Sequence, residues 1–343
     1  MRPNMTNLEH TRCLVTGGAG FIGSELVRQV ATAGCDVTIV DNLVNGKREN
    51  VSEVLGDNVR LEVADIRDAA LMGRLLRKTD VVLHLACLGV RHSIHSPEEN
   101  HEVNASATLA LLIQAREAKV KRLVYVSSSE VYGTARTVPM NEDYPPSPNT
   151  VYGSSKLAGD CYTRAFWRTY GFPTVVVRPF NCYGPRSHHE GDCGEVIPKF
   201  LLRAMAGKSM VIFGDGSQTR DFTYVEDAAR GILLAGTTDA AVGETVNVGQ
   251  GSEISINNLA SLVRQVLRKP EAKAEYADPR PGDVLRLYAD IGKARSLLGY
   301  TPTVSLIDGL TRLKTWYEAL GIPPEELLQD ERVKTWEPAP SSR

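Results

Sequence analysis

The chain contains 343 residues, of which 42% are hydrophobic and 23% are charged, and its formal net charge is −2. This length suits one large domain or two moderate ones, and the nearly neutral charge gives no electrostatic reason to expect nucleic acid or a membrane surface as a partner. No apolar run reaches the roughly 18–20 residues that span a bilayer, and residues 1–11 lack the apolar segment of a signal peptide. The six cysteines have no CxxC spacing, which indicates reduced cysteines in a cytoplasmic protein.

Short β-branched segments alternate with helical patterns through the first half of the chain. The predicted strands cover residues 12–16, 36–40, 59–63, 80–86, 122–127 and 173–179. The predicted helices cover residues 21–32, 68–78, 97–118 and 150–170. Buried apolar strands that alternate with helices are typical of a doubly wound parallel sheet, and the fold class is therefore α/β of the Rossmann type.

The pattern changes after Pro179, where glycine and proline become frequent and the elements become shorter. Helices are predicted at residues 195–206, 226–236, 255–267, 290–298 and 305–320. We interpret residues 1–180 as the dinucleotide-binding domain and residues 181–322 as a smaller mixed α/β lobe, with some segments returning to the first domain. The tail at 323–343 is rich in Pro, Glu and Ser and is expected to pack loosely.

A glycine-rich turn follows the first predicted strand. The sequence TGGAGFIG places Gly17, Gly20 and Gly23 three residues apart, between a strand and a helix. Small residues let the backbone approach a pyrophosphate, and a helix N-terminus supplies N–H donors and partial positive charge. The turn therefore indicates a dinucleotide site, with Phe21 and Ile22 beside it. A merely tight βα turn is the alternative for this motif alone.

Asp41 ends the second predicted strand, eighteen residues after Gly23. A carboxylate there accepts hydrogen bonds from both adenosine ribose hydroxyls and repels a 2′-phosphate, so NAD is favoured over NADP. Lys47 and Arg48 lie nearby and temper that preference. Asp65 and Ile66 follow the third strand and are placed to meet the adenine, although Asp65 also suits a helix N-cap. Further cofactor contacts are predicted from Asn42, Leu85 and Ala86.

Tyr152 and Lys156 lie four residues apart in YGSSK, on one face of a predicted helix. An ammonium group beside a phenol lowers the pKa of the phenol, and an oxidised nicotinamide adds positive charge. A tyrosine with an ordinary pKa of about 10 would otherwise be a poor base near neutral pH. This pair and the preceding SSSE at 127–130 are therefore candidate catalytic residues, whereas an exposed helix pair is the alternative.

Several motifs together carry a family resemblance. TGGAGFIG, SSSEVYG, YGSSK, RPFNCYGP, FGDGSQTRDFTYVED and RPGD, in this order, resemble the extended short-chain dehydrogenase/reductase family. More narrowly, they resemble its nucleotide-sugar epimerases, dehydratases and decarboxylases, of the UDP-glucose 4-epimerase type, over residues 11 to 320. The resemblance implies that Ser128 hydrogen-bonds the sugar 4-hydroxyl while Tyr152 removes its proton, and that NAD takes the C4 hydride. Lys156 would bind the nicotinamide ribose.

The resemblance leaves the step after the 4-keto sugar open. A 4-epimerase returns hydride to the other face and is the preferred interpretation. A 4,6-dehydratase or a decarboxylase is the alternative, because a carboxylate at Glu130 suits a base for the C5 proton. Dehydratases often carry an aspartate before this glutamate, where this chain has Ser129, so Ser-Ser-Glu is more similar to the decarboxylases and to the dehydratases that lack the aspartate. The loop at 89–97 resembles that of hexose and hexuronate epimerases, with Ser93 lining the sugar pocket and Arg91 facing a sugar carboxylate or solvent.

The resemblance also implies a nucleotide-sugar pocket in the second lobe. Arg220 matches the arginine that clamps the substrate diphosphate, which suits a planar, bidentate donor. Arg280 and Asp283 match residues near the ribose and diphosphate, Asn181 a phosphate- or sugar-binding amide, and Phe213 a residue near the base. UDP and dTDP are the expected nucleotides. Relatives form homodimers through a four-helix bundle, which corresponds to helices 97–118 and 150–170 here.

Two other features of the sequence, both containing histidine, are not assigned a catalytic role. His188, His189 and Glu190, with Asp192 and Cys193, invite a metal interpretation, but the spacing lacks a second ligand pair, and no metal is expected. His84 ends a strand and is interpreted as structural. A dinucleotide-sensing scaffold without catalysis and a reductase with exchangeable NADPH are the remaining alternatives. The catalytic motifs disfavour the first, whereas Asp41 and Arg220 disfavour the second.

Overall fold

A computed structural model describes residues 9–191, 193–280, 283–334 and 336. The strands are β1 (Arg12–Thr16), β2 (Asp36–Asp41), β3 (Val59–Val63), β4 (Val81–His84), β5 (Arg122–Val126), β6 (Thr174–Pro179), β7 (Cys182–Tyr183), β8 (Met210–Phe213), β9 (Thr219–Arg220), β10 (Thr223–Tyr224), β11 (Thr245–Val248), β12 (Ile254–Ser255) and β13 (Ala274–Ala277). The helices are α1 (Phe21–Thr32), α2 (Ala69–Leu76), α3 (Val90–His95), α4 (Pro97–His101), α5 (Ala107–Glu117), α6 (Val151–Tyr170), α7 (Val196–Met205), α8 (Val225–Thr237), α9 (Ile256–Leu267), α10 (Gly292–Leu298), α11 (Leu306–Ala319) and α12 (Pro324–Leu327).

Seven strands form one parallel sheet with helices on both faces, in the order β11-β6-β5-β4-β1-β2-β3. Neighbouring residues of a strand point to opposite faces. In β1, Val15 therefore packs in the cluster that contains Leu26 of α1 and Ile232 of α8, whereas Leu14 packs in the cluster that contains Leu111 of α5. Because both faces are covered, the central strands β1, β4, β5 and β6 are buried along most of their length. The predicted doubly wound α/β fold is confirmed.

The strand order reverses beside β1, which places a crevice at the carboxyl ends of the sheet. The chain runs from β1 to β2 and β3 on one side, then crosses back to β4 on the other side of β1. Val15 is thus in register with Ile39 of β2 and with Leu83 of β4. Such a switch point is where open α/β sheets bind ligands.

The helix predicted over 97–118 is interrupted. α4 is followed by a π-helical segment at Glu102–Ser106 and then by α5. In the π segment, the Asn104 amide donates to Leu88 O at 2.9 Å and accepts from Leu88 N at 2.8 Å. A single-turn π segment of this kind is common at functional sites. It arises here from side-chain hydrogen bonds to the loop after β4, which hydrophobic periodicity does not reveal.

The second lobe has a separate hydrophobic core between α7, α9 and α11. Leu201, Leu259 and Leu313, one from each helix, are fully buried in one cluster. By contrast α8 and β11, which also lie beyond residue 180, belong to the large sheet layer, since β11 pairs with β6. Among the described residues, the structure contains no helix with the length and apolar character needed to cross a membrane.

Candidate active site

A cavity of about 700 Å³ lies at the carboxyl ends of the sheet strands, between the sheet and the second lobe. It is lined by every predicted site residue except Ser93: Gly17, Gly20, Phe21, Ile22, Gly23, Asp41, Asn42, Asp65, Ile66, Leu85, Ala86, Ser128, Ser129, Glu130, Tyr152, Lys156, Asn181, Phe213, Arg220, Arg280 and Asp283. The residues come from segments up to about 270 positions apart, and the topology at the switch point brings them together.

The glycine-rich turn leaves no room for side chains at two positions. Gly17 has φ +70°, and a Cβ built on it would lie 2.7 Å from Ala86 N. A Cβ on Gly23 would lie 2.0 Å from Gly17 O, because the start of α1 packs directly on the turn. The cavity wall here is therefore bare backbone at a helix N-terminus, which fits a pyrophosphate.

Asp41 is positioned by backbone hydrogen bonds at the end of β2. Its carboxylate accepts from Ala19 N at 3.0 Å and from Leu43 N at 2.9 Å, and the residue is buried. Burial raises the pKa of Asp41, while these two N–H groups oppose the shift. The carboxylate faces the same cavity as the glycine turn, so its oxygens are suited to accept hydrogen bonds from the adenosine ribose hydroxyls of a dinucleotide.

Asp65 does not cap α2, because that role falls to Asp68, whose carboxylate accepts from Leu71 N at 2.9 Å. Asp65 instead accepts hydrogen bonds from Asn42 at 3.1 Å and from Arg67 at 2.9 Å. The Arg67 side chain is the main cause of the lowered pKa of Asp65. These contacts tie the loops after β2 and β3 together at the adenosine end of the cavity.

The serine-rich end of β5 turns into a short 3₁₀ segment at Ser129–Val131. The Ser128 hydroxyl oxygen accepts from Glu130 N at 3.2 Å, which leaves its proton available to Tyr152. Burial is the largest effect on Glu130 and raises the pKa of its carboxyl, while Arg220 and Arg91 act in the opposite direction. A cavity-lining carboxyl whose pKa is raised in this way is a candidate for general acid–base chemistry.

Helix α6 carries Tyr152 and Lys156 in its first two turns. Thr150 caps the helix by accepting from Gly153 N at 3.0 Å, so the sequence TxxG sets its start next to the cavity. The buried Lys156 ammonium donates to Val126 O at 2.6 Å and lies 4.5 Å from the centre of the Tyr125 ring. This contact fixes the lysine under the carboxyl end of β5.

The expected lowering of the Tyr152 pKa does not occur in the protein alone. Burial raises the pKa of Tyr152 well above its ordinary value, and the hydrogen bond with Ser128 opposes that shift. Burial also lowers the pKa of Lys156. The spacing predicted the pair but not this direction, because desolvation depends on how the second lobe covers the helix.

The second lobe presents two arginines to the cavity. Arg220, in β9, donates to the Asp283 carboxylate at 2.8 Å. Arg280 lies over the ring of Phe213 at 5.5 Å from its centre. Arg280 Nε and Asn181 Nδ2 are buried without a hydrogen-bond partner among the described residues. Unsatisfied donors beside guanidinium groups fit an anionic ligand with several oxygens.

Ser93 differs from its prediction. Its residue is buried in α3, and its hydroxyl donates to Val90 O at 2.7 Å, so it is not among the lining residues. The resemblance places a serine in this loop, but the short helix α3 turns the side chain into its own backbone. Neighbouring Arg91 lines the cavity instead.

His84 has a structural environment, as predicted from its position at the end of a strand. His84 is fully buried, with Thr16 Oγ1 at 2.7 Å and Thr108 Oγ1 at 2.9 Å, and burial lowers its pKa to about 3. Within the part of the chain that the structure describes, no cluster of His, Cys, Asp or Glu is arranged to hold a metal. Glu190 forms an ion pair with Lys47 across the two lobes. Asp192 of the candidate metal motif lies outside the described residues.

Several lining residues were not singled out from the sequence. Glu195 precedes α7, and its pKa is raised by burial. Lys199 follows one turn later, and its pKa is lowered to about 8, chiefly by burial. Trp336 reaches the cavity from the tail that was expected to pack loosely. None of these residues stands in a recognisable motif, so only their position on the cavity wall of the folded chain identifies them.

Comparison with known proteins gives a consistent result. Residues 13–249 match the family model of the NAD dependent epimerase/dehydratase family. The chain is 37% identical over 306 residues to a putative UDP-glucose 4-epimerase of Methanocaldococcus jannaschii, covering 88% of this chain and 97% of the relative. Among solved structures, it is similar to the dTDP-glucose 4,6-dehydratase DesIV of Streptomyces venezuelae with NAD bound, with a TM-score of 0.85, 36% identity, and coverage of 90% and 97%. The chain is also similar to a UDP-glucose 4-epimerase of Thermotoga maritima with UDP-glucose, with a TM-score of 0.85 and 33% identity. That match covers 91% of this chain and 100% of the other.

Proposed function

The chain belongs to the NAD-dependent epimerase/dehydratase family, and we propose that it is a nucleotide-sugar 4-epimerase that acts on a UDP- or dTDP-linked hexose or hexuronate. It is an NAD-dependent enzyme of nucleotide-sugar chemistry. One observation supports the proposal most: Ser128, Tyr152 and Lys156 lie between a dinucleotide cradle and an arginine-lined half of the same cavity.

Three residues have separate roles in the oxidation of C4 of the sugar. Ser128 positions the sugar 4-hydroxyl, Tyr152 takes its proton, and Lys156 holds the nicotinamide ribose. When bound, NAD supplies a hydride acceptor and the positive charge of its oxidised ring, which favours the ionised phenol. The Arg220 guanidinium, together with the unpaired donors Arg280 Nε and Asn181 Nδ2, would bind the diphosphate and the sugar or ribose beside it. Removal of the 4-hydroxyl proton would therefore depend on a phenol whose pKa the bound, positively charged nicotinamide lowers.

The residue beside Glu130 supports epimerisation over dehydration. Expulsion of a C6 hydroxyl requires an acid, and Ser129, which lines the cavity next to Glu130, is a poor one. The half-buried Glu130 carboxyl with its raised pKa supports a second candidate, a 4,6-dehydratase or a hexuronate decarboxylase in which Glu130 removes the C5 proton. The two candidates differ in what happens at C5.

A panel of UDP- and dTDP-sugars incubated in D₂O separates these reactions. We expect a product of unchanged mass with inverted C4 and no deuterium at C5. Loss of water would identify the dehydratase, and loss of CO₂ the decarboxylase. If no sugar nucleotide of the panel reacts, the proposed function is wrong.

Replacing Glu130 with glutamine tests its part in the reaction. For an epimerase, C4 inversion is expected to stay within about tenfold of the wild-type rate, since the hydroxyl proton is taken by Tyr152. A C5 base would instead be worth about 10²–10⁴-fold in rate. Glu271→Gln, at an exposed position between α9 and β13, is the matched control. A loss of more than 100-fold in E130Q alone would favour the lyase reactions.

We also propose a homodimer that pairs the α4–α5 region and α6 with their counterparts. Ile113 on α5 and Trp167 and Tyr170 on α6 are 43%, 37% and 55% exposed, which is unusual for large apolar side chains on one helix pair. Light scattering at micromolar concentration is expected to give a dimer, and Ile113→Lys to shift it toward monomer. Leu320→Lys, exposed outside these helices, is the control. A monomeric wild-type protein would contradict the bundle.

We place the enzyme in the cytoplasm. None of the six cysteines, all of which lie among the described residues, forms a disulfide, and two of them are buried, which suits a reducing compartment.

A further inference from the structure

The C-terminal segment after α12 is attached to the cavity wall rather than loose. We call residues 328–334 and 336 the C-terminal strap. Gly191 N donates to Asp330 O at 3.0 Å, and Arg332 N donates to Gly191 O at 3.2 Å, so the strap runs parallel to the loop at 188–195. Leu328, at its start, is buried in the core of the second lobe.

Two side chains of α7 hold the strap from below. Arg203 donates to the Glu331 carboxylate at 2.9 Å, where the Glu331 side chain is only 7% exposed. The Lys199 ammonium donates to Arg332 O at 2.7 Å. Partly buried ion pairs with additional hydrogen bonds are geometrically specific, so these contacts set the register of the strap on α7.

The strap ends in an aromatic contact with the second lobe. The rings of Trp336 and Phe213 meet edge to face, with centres 4.9 Å apart. The Arg280 guanidinium lies 5.7 Å from the Trp336 ring and 5.5 Å from the Phe213 ring. All three line the cavity, at the end of β8 and just after β13, on the second-lobe side.

A buried polar atom beside these two aromatic rings has no hydrogen-bond partner in the described part of the chain. Arg280 Nε is buried without a hydrogen-bond acceptor among the described residues. A flat aromatic surface combined with an unpaired planar donor is the arrangement that holds a nucleobase, because every base has a stacking face and acceptor oxygens or nitrogens at its edge. An aliphatic or purely ionic ligand would not use the two rings.

We propose that the C-terminal strap forms one wall of the nucleotide subsite, and that Trp336 and Phe213 together contact the pyrimidine base of the substrate. This inference rests on the proposed function, since it assigns the base end of the same cavity. It makes Trp336 a base-contacting residue that lies 87 positions beyond the stretch matched by the family model, which ends at residue 249.

Calorimetric titration of the full chain with UDP and dTDP tests the strap. Trp336→Ala is expected to raise the Kd for both nucleotides about tenfold, because stacking of one base on one aromatic side chain is of that order. Trp336→Phe keeps a ring and is expected to stay within about threefold of wild type. Inorganic pyrophosphate, which has no base, is expected to bind both variants as it binds the wild type.

A second readout follows the indole itself. The chain has three tryptophans, so Trp167→Phe/Trp316→Phe leaves Trp336 as the sole one. Its fluorescence is expected to change on addition of UDP and not of pyrophosphate. In the control variant Trp316→Phe/Trp336→Phe, only Trp167 remains, and its fluorescence is expected not to change on addition of UDP.

The outcomes separate this inference from the proposed function. Equal UDP affinity for wild type and W336A would overturn the strap's role and leave the proposed function standing. Tighter binding by W336A would also overturn it, since the indole would then occupy the position of the base. A wild-type protein that binds neither UDP nor dTDP would overturn both.

Discussion

Tyr152→Phe is expected to lower the turnover of the reactive nucleotide sugar by about 10²–10⁴-fold. Phenylalanine keeps the ring that packs at the start of α6 but removes the only oxygen that Ser128 holds beside the reacting hydroxyl. The change therefore removes the proton acceptor without emptying the cavity. Rates of the purified variant with the best sugar of the panel measure the effect.

The pH dependence distinguishes a lost base from a damaged site. A base acts only when it is ionised, and burial raises the pKa of Tyr152 in the protein alone. The wild-type rate at low substrate is therefore expected to rise with pH on its acidic side, and this rise is expected to disappear in Y152F. NAD content, measured by absorbance after release, is the control and is expected to be unchanged. Undiminished turnover in Y152F would end the assignment of Tyr152 as the base.

Arg178→Met is expected to lower the free energy of unfolding by roughly 3 kcal/mol, because it removes the more deeply buried of the two cations that pair with the Asp160 carboxylate. Arg178, in β6, donates to the Asp160 carboxylate at 2.8 Å and to Tyr132 Oη at 2.7 Å. The side chains of Arg178 and Asp160 are 2% and 0% exposed. Asp160 keeps a contact with Arg164 at 2.8 Å, which is too exposed to neutralise it fully. Urea unfolding measures the change.

The position of this ion pair connects stability to catalysis. Asp160 lies one turn after Lys156 on α6. Its ion pair with Arg178 of β6 therefore holds α6, which carries Tyr152 and Lys156, against the sheet. R178M is expected to lose bound NAD together with stability. Lys314→Met, which breaks a partly exposed i,i+4 pair with Glu318 on α11, is the control and is expected to cost about 0.5 kcal/mol or less.

A double replacement checks the physical reason. If the cost of R178M comes from the unpaired Asp160 carboxylate, then Asp160→Leu combined with Arg178→Met is expected to recover part of the lost stability. A double variant as unstable as the sum of both single changes would show that packing, and not the buried charge, dominates this site.

Local features of the chain were predictable from the sequence. The strand that ends at Asp41 and the helix that starts at Phe21 follow from β-branched runs and from the glycine turn, which act over a few neighbouring residues. The Tyr152 and Lys156 pair follows from helical spacing. The family follows from motifs in a fixed order, and this was confirmed.

Most of the features that sequence reasoning missed depend on contacts between separate segments, whereas Ser93 depends on a short local helix that no pattern of the sequence marked. The π segment exists because Asn104 bonds to Leu88, Ser93 turns inward because a short helix forms around it, and Trp336 meets Phe213 across 123 positions of chain. Local patterns contain no information about such pairs.

The sequence by itself determined the α/β class, the NAD-type cradle and the set of candidate catalytic residues, because these depend on periodicity, glycine geometry and motif order. Only the tertiary structure decided the protonation tendencies of Tyr152 and Glu130 and the attachment of the C-terminal strap. The reason is that pKa values and side-chain contacts follow from desolvation and proximity, and both arise only when the second lobe closes over the sheet.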